Sequence, residues 1–243
     1  MPMMRAIRLA NAFLLAGAAF GAGPAFAAPA AFNWSGLYVG ANGGFSGGEF
    51  NQTFDYSGDD FCCSTNRDHA FSSGFTGGGQ VGVNFQSATS NIVAGVEADF
   101  DASSIEGTYL DFGPAFHSGT QLNWWGTVRG RLGYAAGRFL PYVTGGVAYG
   151  HLTNTYTDTA NGNLPPDGYD ESWSDTRIGW TIGGGVEAEI AHNVSAKVEY
   201  LYTDLGSWRS EDPQNAAAYP GEIHNTVTGG FSTARIGLNW KFN

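Results

Sequence analysis

The sequence contains no run of about 18 consecutive apolar residues, the length that a membrane-spanning helix requires. An apolar stretch at residues 12–22 is too short to span a bilayer. It follows Arg5 and Arg8 and precedes an A-x-A cleavage pattern at 25–27, so residues 1–27 are predicted to be a secretory signal peptide. Residues 28–243 are then predicted to form one domain, because about 216 residues suit a single all-β domain.

Cysteine is nearly absent. The only two cysteines, Cys62 and Cys63, are neighbours, and only His69 lies close to them in the sequence. This spacing matches no zinc site, so no metal centre is predicted. In an oxidising compartment the pair could form a strained disulfide or remain an unlinked feature of a loop, and the sequence leaves both open.

Charge is scarce and unbalanced. Charged residues make up 14% of the chain, with 11 Lys and Arg against 22 Asp and Glu and a net charge of -11. An acidic chain argues against nucleic-acid binding, which needs a basic surface. Glycine (37 residues) and aromatic residues (14%) are abundant, unlike the composition of a disordered protein.

The chain is rich in two-residue alternation, which is typical of strands because successive side chains point to opposite faces. At the end of the chain every second residue is apolar: Ala234, Ile236, Leu238, Trp240 and Phe242. Eight such segments occur, each long enough for the ~9–11 residues of a tilted membrane-crossing strand. They are roughly 35–46, 74–86, 91–102, 121–134, 139–150, 175–190, 193–205 and 230–242.

The connections alternate in length. Short ones are predicted at 87–90, 135–138 and 191–192, and long polar ones at 47–73, 103–120, 151–174 and 206–229. Short turns at one rim and long loops at the other are typical of outer-membrane barrels. The sequence therefore predicts an all-β fold: an eight-stranded, antiparallel, up-and-down transmembrane β-barrel in the outer membrane, with its short turns on the periplasmic side.

The charged residues predict which face of each strand is inside. An Arg or Lys facing lipid at the bilayer midplane costs about 2–4 kcal/mol, so turning six of them outward would cost on the order of 10–20 kcal/mol. That rivals the ~5–15 kcal/mol stability of a whole domain. The Arg and Lys residues are therefore predicted to face the barrel interior. There they form ion pairs with the acidic residues on the same strand faces, in a network whose role is structural. The predicted members are Glu97, Asp99, Arg129, Arg131, Arg177, Glu187, Glu189, Lys197, Glu199, Arg235 and Lys241.

Large apolar side chains occupy the opposite faces and are predicted to meet lipid, since an eight-stranded barrel has little room inside. Aromatic residues near the strand ends are predicted to form girdles at the two membrane interfaces. The predicted girdle residues are Trp34, Tyr38, Tyr134, Tyr142, Tyr149, Tyr200, Tyr202 and Trp240.

Three segments carry a family resemblance: 32–40 (FNWSGLYVG), 123–134 (NWWGTVRGRLGY) and 234–242 (ARIGLNWKF). They resemble the small outer-membrane surface proteins of alphaproteobacteria, a porin-like family with an OmpA-like eight-stranded barrel. The resemblance covers essentially all of residues 32–243. It implies a location in the outer membrane and a role in envelope integrity or surface contact, and it brings no catalytic residues.

Several functions stay open at this stage. A structural barrel with a closed interior is favoured; the alternatives are a narrow porin for small solutes or ions, and a surface protein whose loops bind a ligand or host. No enzyme, cofactor or metal site is predicted, because nothing near His151, His224 or Ser232 marks an activated nucleophile. The sequence leaves open whether acidic loops bind divalent cations. The expected partners are outer-membrane lipids, lipopolysaccharide and the barrel assembly machinery; the oligomeric state is not predicted.

Overall fold

The computed structural model describes residues 32–56, 65–111, 116–158, 169–211 and 223–242. Each strand is antiparallel to the next, and β1 also pairs with β8, so the sheet closes into a barrel. The strands are β1 (Gly36–Tyr56), β2 (Thr65–Gln86), β3 (Ile92–Asp111), β4 (Phe116–Tyr134), β5 (Phe139–Asp158), β6 (Tyr169–Ala191), β7 (Val194–Glu211) and β8 (Ile223–Lys241). The predicted fold class and strand count are confirmed. No helix within these ranges is long and apolar enough to cross a membrane.

The three short connections lie where the sequence predicts them, to within one residue. β2 and β3 are joined by 87–91, β4 and β5 by 135–138, and β6 and β7 by 192–193. Gly137 and Asn193 both adopt φ of 64° in these turns. Glycine and asparagine tolerate this left-handed backbone better than most residues, which explains their presence at tight turns.

The strands are 18 to 23 residues long, and this corrects the predicted bounds. Most of the predicted long connection 47–73 is a paired hairpin, from Gly47↔Ser73 to Asp55↔Thr65. Ladder hydrogen bonds join backbone groups and need no hydrophobic alternation, so the pairing extends past the alternating segments. A strand of 20 residues rises on the order of 50 Å at a 40° tilt, about twice the ~25 Å apolar band of such barrels.

The predicted orientation of the strand faces is confirmed. Trp180 is 50% exposed and Ile236 67%, whereas Arg129 and Lys197 are each 1% exposed. The barrel is therefore apolar outside and charged inside, the reverse of a soluble protein.

Three of the predicted girdle residues are instead buried: Trp34, Tyr38 and Tyr142. Tyr38 and Tyr142 follow the inward phase of their strands, and their hydroxyls hydrogen-bond to interior carboxylates. Tyr149 is half-buried, while Tyr134, Tyr200, Tyr202 and Trp240 are exposed on the outer wall. The lumen thus accepts more aromatic side chains than predicted, because its glycines leave space beside them. Gly82, for example, lies directly beneath the Tyr38 ring.

Candidate functional site in the barrel interior

The lumen is filled in three layers along the barrel axis. Near the short turns, Trp34 packs with Val93, Ala135 and Leu140, and Phe32 packs against this group. The next layer along the axis consists of charged side chains. Toward the long hairpins lies an apolar layer of Ile105, Leu122, Trp125, Ala148, Leu152, Leu201, Leu205 and Phe231, all buried. The group around Trp34, which we call the cap, and the apolar layer are absent from the sequence-based prediction.

The charged side chains share one layer because alternate residues of a strand point to the same face. Glu97 and Asp99 lie two residues apart on β3 and therefore point into the lumen together. Arg129 and Arg131 do the same on β4, and Lys197 shares its face of β7 with Glu199. Side chains from five strands reach the same height, because β6 and β8 add Glu187 and Arg235.

Arg129 is the centre of the network. Its Nη2 lies 2.6 Å from Glu97 Oε1 and 2.8 Å from Asp99 Oδ2, and its Nη1 lies 3.0 Å from Glu199 Oε1. Its Nε donates to Thr127 Oγ1 at 2.8 Å. Arg129 thus binds carboxylates on β3 and β7, so it ties together walls that are not adjacent in the sheet.

Arg235 forms the second centre. It lies 2.7 Å from Glu199 Oε2, 2.8 Å from Asp99 Oδ2 and 3.0 Å from Asp101 Oδ2. Asp101 is completely buried and was not among the predicted residues, although it continues the inward phase of Glu97 and Asp99. Alternation along β3 places Asp101 on the same inward face, two residues after Asp99.

The network continues toward the short turns. Arg131 Nη2 lies 2.7 Å from Glu187 Oε2, and its guanidinium stacks 4.1 Å from the centre of the Tyr142 ring. Stacking on an aromatic face is a recognised mode of guanidinium binding. Glu187 also accepts hydrogen bonds from Ser195 at 2.5 Å and from Asn239 at 2.8 Å.

Lys197 and the two tyrosines complete the layer. Lys197 Nζ lies 2.8 Å from Glu97 Oε1. Tyr38 donates to Glu97 at 2.8 Å, and Tyr142 donates to Glu199 at 2.9 Å. Glu97 and Glu199 are therefore each held by several donors, the arrangement that makes burial of charge tolerable.

Three predicted members have their ion pairs or hydrogen bonds at the ends of the barrel. Arg177 pairs with Asp175 at 2.5 Å toward the long hairpins, with both side chains partly exposed. Glu189 pairs with Arg138 at 3.4 Å at the short-turn rim. Lys241 donates to the backbone carbonyl of Asn33. The other eight predicted residues lie in the central layer.

The central layer carries more negative than positive groups. Its buried carboxyl groups are Glu97, Asp99, Asp101, Glu187 and Glu199, and its buried cations are Arg129, Arg131, Lys197 and Arg235. That is five acidic groups against four basic ones. Within the described part of the chain, Asp99 Oδ1 and Asp101 Oδ1 make no hydrogen bond. The two carboxylates with a free oxygen, Asp99 and Asp101, both lie beside Arg235, at the border with the apolar layer.

The apolar layer is sealed by aromatic contacts. Trp125 and Phe231 meet edge to face with ring centres 5.2 Å apart, and Trp125 Nε1 donates to Thr76 Oγ1 at 2.9 Å. Arg235 lies 6.0 Å from the Trp125 ring, so the apolar and charged layers are in contact. Trp125 shares the strand phase of Arg129, a signal that would have placed it inside.

Of the residues considered for catalysis, the structure describes the side chains of His151 and Ser232, and each has a partner of its own. The His151 ring stacks on Trp124 with centres 5.4 Å apart and its Nδ1 lies 3.1 Å from Thr176 Oγ1. Ser232 lies 2.7 Å from the Tyr200 hydroxyl. The side chain of His224, and both cysteines, fall outside what the structure describes. Over the described ranges, no group of three His, Cys, Asp or Glu residues is placed to hold a metal ion.

Comparison with known proteins gives a consistent result. Residues 12–242 match the family described as the outer membrane protein beta-barrel domain. A 31 kDa outer-membrane immunogenic protein of Brucella melitensis is 38% identical over 218 residues, 87% of this chain and 85% of that protein. A 22 kDa outer membrane protein of Rhizobium leguminosarum bv. viciae is 32% identical over 215 residues, 87% of this chain and 80% of that protein. Among solved structures, OprG from Pseudomonas aeruginosa is similar with a TM-score of 0.47 and 14% identity, covering 86% of this chain and 97% of that one.

Proposed function

This chain belongs to the outer membrane protein beta-barrel domain family, and from that premise we propose that it is a structural barrel whose interior is permanently closed. It lies in the outer membrane, and the resemblance to alphaproteobacterial outer-membrane proteins is confirmed. The observation that carries the proposal is the layer of buried ion pairs around Arg129 and Arg235, which crosses the lumen from wall to wall.

A solute could pass only by separating these pairs. Breaking a buried ion pair strands charges at a cost of about 3–5 kcal/mol. Arg129 and Arg235 together bind four carboxylates and share two of them, Asp99 and Glu199, so a continuous path would require several such losses at once. The apolar layer and the cap at Trp34 add two further barriers on the same axis. These features favour the structural barrel over a narrow porin.

The outer wall supports a role in envelope integrity. Large apolar residues cover it, among them Phe85 (65% exposed) and Val198 (64%). Such a belt matches the acyl chains of the membrane, and a barrel that presents no lateral backbone edge at this depth is compatible with lipid. We propose that outer-membrane lipids and lipopolysaccharide are its permanent neighbours, and that the barrel assembly machinery inserts it.

We propose that the chain has two parts. Residues 1–27 act as the export signal, and residues 28–243 form the barrel domain after its removal. An enzymatic role is not proposed: the relatives are named as outer-membrane or immunogenic proteins, names that indicate no reaction.

Vesicle swelling tests the closed interior. The purified, folded protein is reconstituted into lipid vesicles that are then diluted into isotonic solutions of small sugars. Vesicles with the protein should swell no faster than protein-free vesicles, while vesicles with a general porin swell rapidly. Swelling that increases in proportion to the amount of folded protein would reject the structural barrel in favour of the porin.

A further inference from the structure

Three side-chain oxygens in the barrel interior lack a hydrogen-bond partner among the described residues. They are Asn42 Oδ1 on β1 and the Oδ1 atoms of Asp99 and Asp101 on β3. Asp99 is 4% exposed and Asp101 is completely buried. A buried oxygen without a partner costs free energy, and a charged one costs more. These atoms therefore point to a ligand that accepts their lone pairs.

The two carboxylates are held side by side by one guanidinium group. Arg235 Nη2 lies 2.8 Å from Asp99 Oδ2, and Arg235 Nη1 lies 3.0 Å from Asp101 Oδ2. Thr127 and Arg129 also donate to Asp99 Oδ2, each at 2.8 Å. These donors all bind Oδ2 atoms, so the Oδ1 atoms of both carboxylates stay available.

A glycine allows Asn42 and Asp101 to approach each other. Asn42 pairs with Gly78 across β1 and β2, and Gly78 pairs with Asp101 across β2 and β3, so the three residues form one row. A Cβ at Gly78 would lie 2.5 Å from Asp101 Oδ1, so this oxygen leans over the glycine. The Asn42 amide comes within reach of the Asp101 carboxyl there, although neither Oδ1 atom has a hydrogen bond. Because Gly78 has no side chain, oxygens from β1 and β3 can converge across β2.

The charge of the central layer selects a ligand with one positive charge. Its five buried acidic groups and four buried basic groups leave one negative charge without a counter-charge. Toward the long hairpins this region borders the apolar layer, whose members carry no charge. A buried charge without a partner is costly, so a bound monovalent cation would stabilise the layer. A divalent ion would reverse the imbalance instead of removing it.

The number of oxygens distinguishes a metal ion from a proton. A proton joins two oxygens at most and would leave the third without a partner. A hard metal ion accepts lone pairs from several oxygens, and carboxylate, amide, carbonyl and water oxygens all serve as its ligands. An alkali metal ion therefore matches both the single charge and the set of three oxygens.

We propose that Asn42, Asp99 and Asp101 bind one alkali metal ion, which is enclosed when the barrel folds. The ion balances the charge of the central layer, and its ligands on β1 and β3 join two strands that share no ladder. The inference goes beyond the proposed function and does not depend on a closed lumen. Ion binding and solute passage are measured separately, so either can fail without the other.

Equilibrium unfolding of the full-length protein in lipid vesicles tests the site. Urea titrations are run in sodium chloride, potassium chloride or choline chloride at one ionic strength and one pH. Choline is the reference cation because it is too large for a site between three adjacent oxygens. Replacing choline with the alkali ion should raise the folding equilibrium constant saturably, about fivefold when the ion is at four times its dissociation constant.

Three variants locate the effect. Asp101→Asn removes the negative charge and should abolish the response to sodium and potassium, while in choline chloride it should be at least as stable as wild type. Asn42→Ala keeps the charge and removes one oxygen, so the ion concentration needed should rise about tenfold. Glu189→Gln is the control: it removes a negative charge from the pair with Arg138 at the short-turn rim and should keep the wild-type response.

The same titrations can overturn the proposal. Equal stability of the wild-type protein in alkali and choline salts would do so, as would an equal ion response in wild type and Asp101→Asn. A wild-type protein that responds to pH through Asp101 but not to either alkali ion would show that a proton balances the layer instead. If Asp101→Asn fails to fold, the wild-type salt series and Asn42→Ala still decide the question.

Discussion

Arg129 on β4 and Glu199 on β7 are 70 residues apart in the sequence, and their side chains meet at 3.0 Å inside the barrel. Both side chains are completely buried. Since two strands separate β4 from β7, the pair joins walls that share no backbone ladder. The network that contains this pair should therefore stabilise the fold as well as close the lumen.

Replacing the central arginine tests its contribution to stability. Arg129→Leu removes a buried cationic partner from Glu97, Asp99 and Glu199, so the free energy of unfolding should fall by about 3–5 kcal/mol. Urea titration of the protein in lipid vesicles measures this change. Arg138→Leu is the control, because Arg138 is half exposed in its pair with Glu189 and should contribute ~0–1 kcal/mol. Similar losses in the two variants would mean that the interior network adds no special stability.

The surplus acid in the central layer leads to a second prediction. Asp101→Asn removes one negative charge from a layer of five acidic and four basic groups and keeps an oxygen acceptor for Arg235. Its free energy of unfolding should stay within about 1 kcal/mol of wild type or rise. Glu199→Gln should lose roughly 2 kcal/mol or more, because Glu199 binds both Arg129 and Arg235. If Asp101→Asn lowers the free energy of unfolding more than Glu199→Gln does in the same urea titration, the excess of acidic groups does not determine the stability of this layer.

The apolar layer should contribute by packing. Phe231→Ala removes the ring that meets Trp125 and leaves a cavity, with an expected loss of about 3–5 kcal/mol. Phe75→Ala is the control on the outer wall, where the side chain is 73% exposed and the change should cost much less. Thermal unfolding followed by the shift in gel mobility compares the two. A smaller loss for the interior variant would argue that this layer is not tightly packed.

Two adjacent glycines offer a test of the interior fit. A Cβ at Gly44 would lie 2.6 Å from Arg235 Cβ, whereas a Cβ at Gly43 would meet only the Thr76 carbonyl at 3.8 Å. Gly44→Ala should therefore destabilise the barrel by about 1–3 kcal/mol, the usual cost of overpacking. Gly43→Ala should be close to neutral in the same unfolding assay. The opposite order would contradict the assignment of inward and outward faces on β1.

The architecture is predictable from sequence because it depends on a period of two and on the cost of charge in lipid. Ile236 and Leu238 alternate with Arg235 and Gly237, and no other orientation avoids exposing the arginine to acyl chains. The same alternation places Asp101 and Trp125 inside, so both buried positions are also predictable from the sequence. Strand lengths are harder to predict, since the backbone ladder of the β1–β2 hairpin continues through polar residues such as Asn51, Gln52 and Thr53.

The pairing of individual charges lies beyond the sequence for a different reason. Lys197 meets Glu97, 100 residues away, because the stagger of the strands brings β3 and β7 to one height. Arg177 lies on the same strand face as Glu187 but at another height, where it pairs with Asp175. The stagger is a property of the closed sheet, so the alternation within one strand does not predict it.

Planar-bilayer recording of the purified, folded protein tests the closed interior most directly. The account predicts a silent barrel, with no reproducible conductance steps above those of the lipid alone, in salt on both sides and at voltages of either sign. Steady, reproducible steps of one size from the wild-type protein would show that ions pass Arg129 and Arg235, and would contradict the closed barrel.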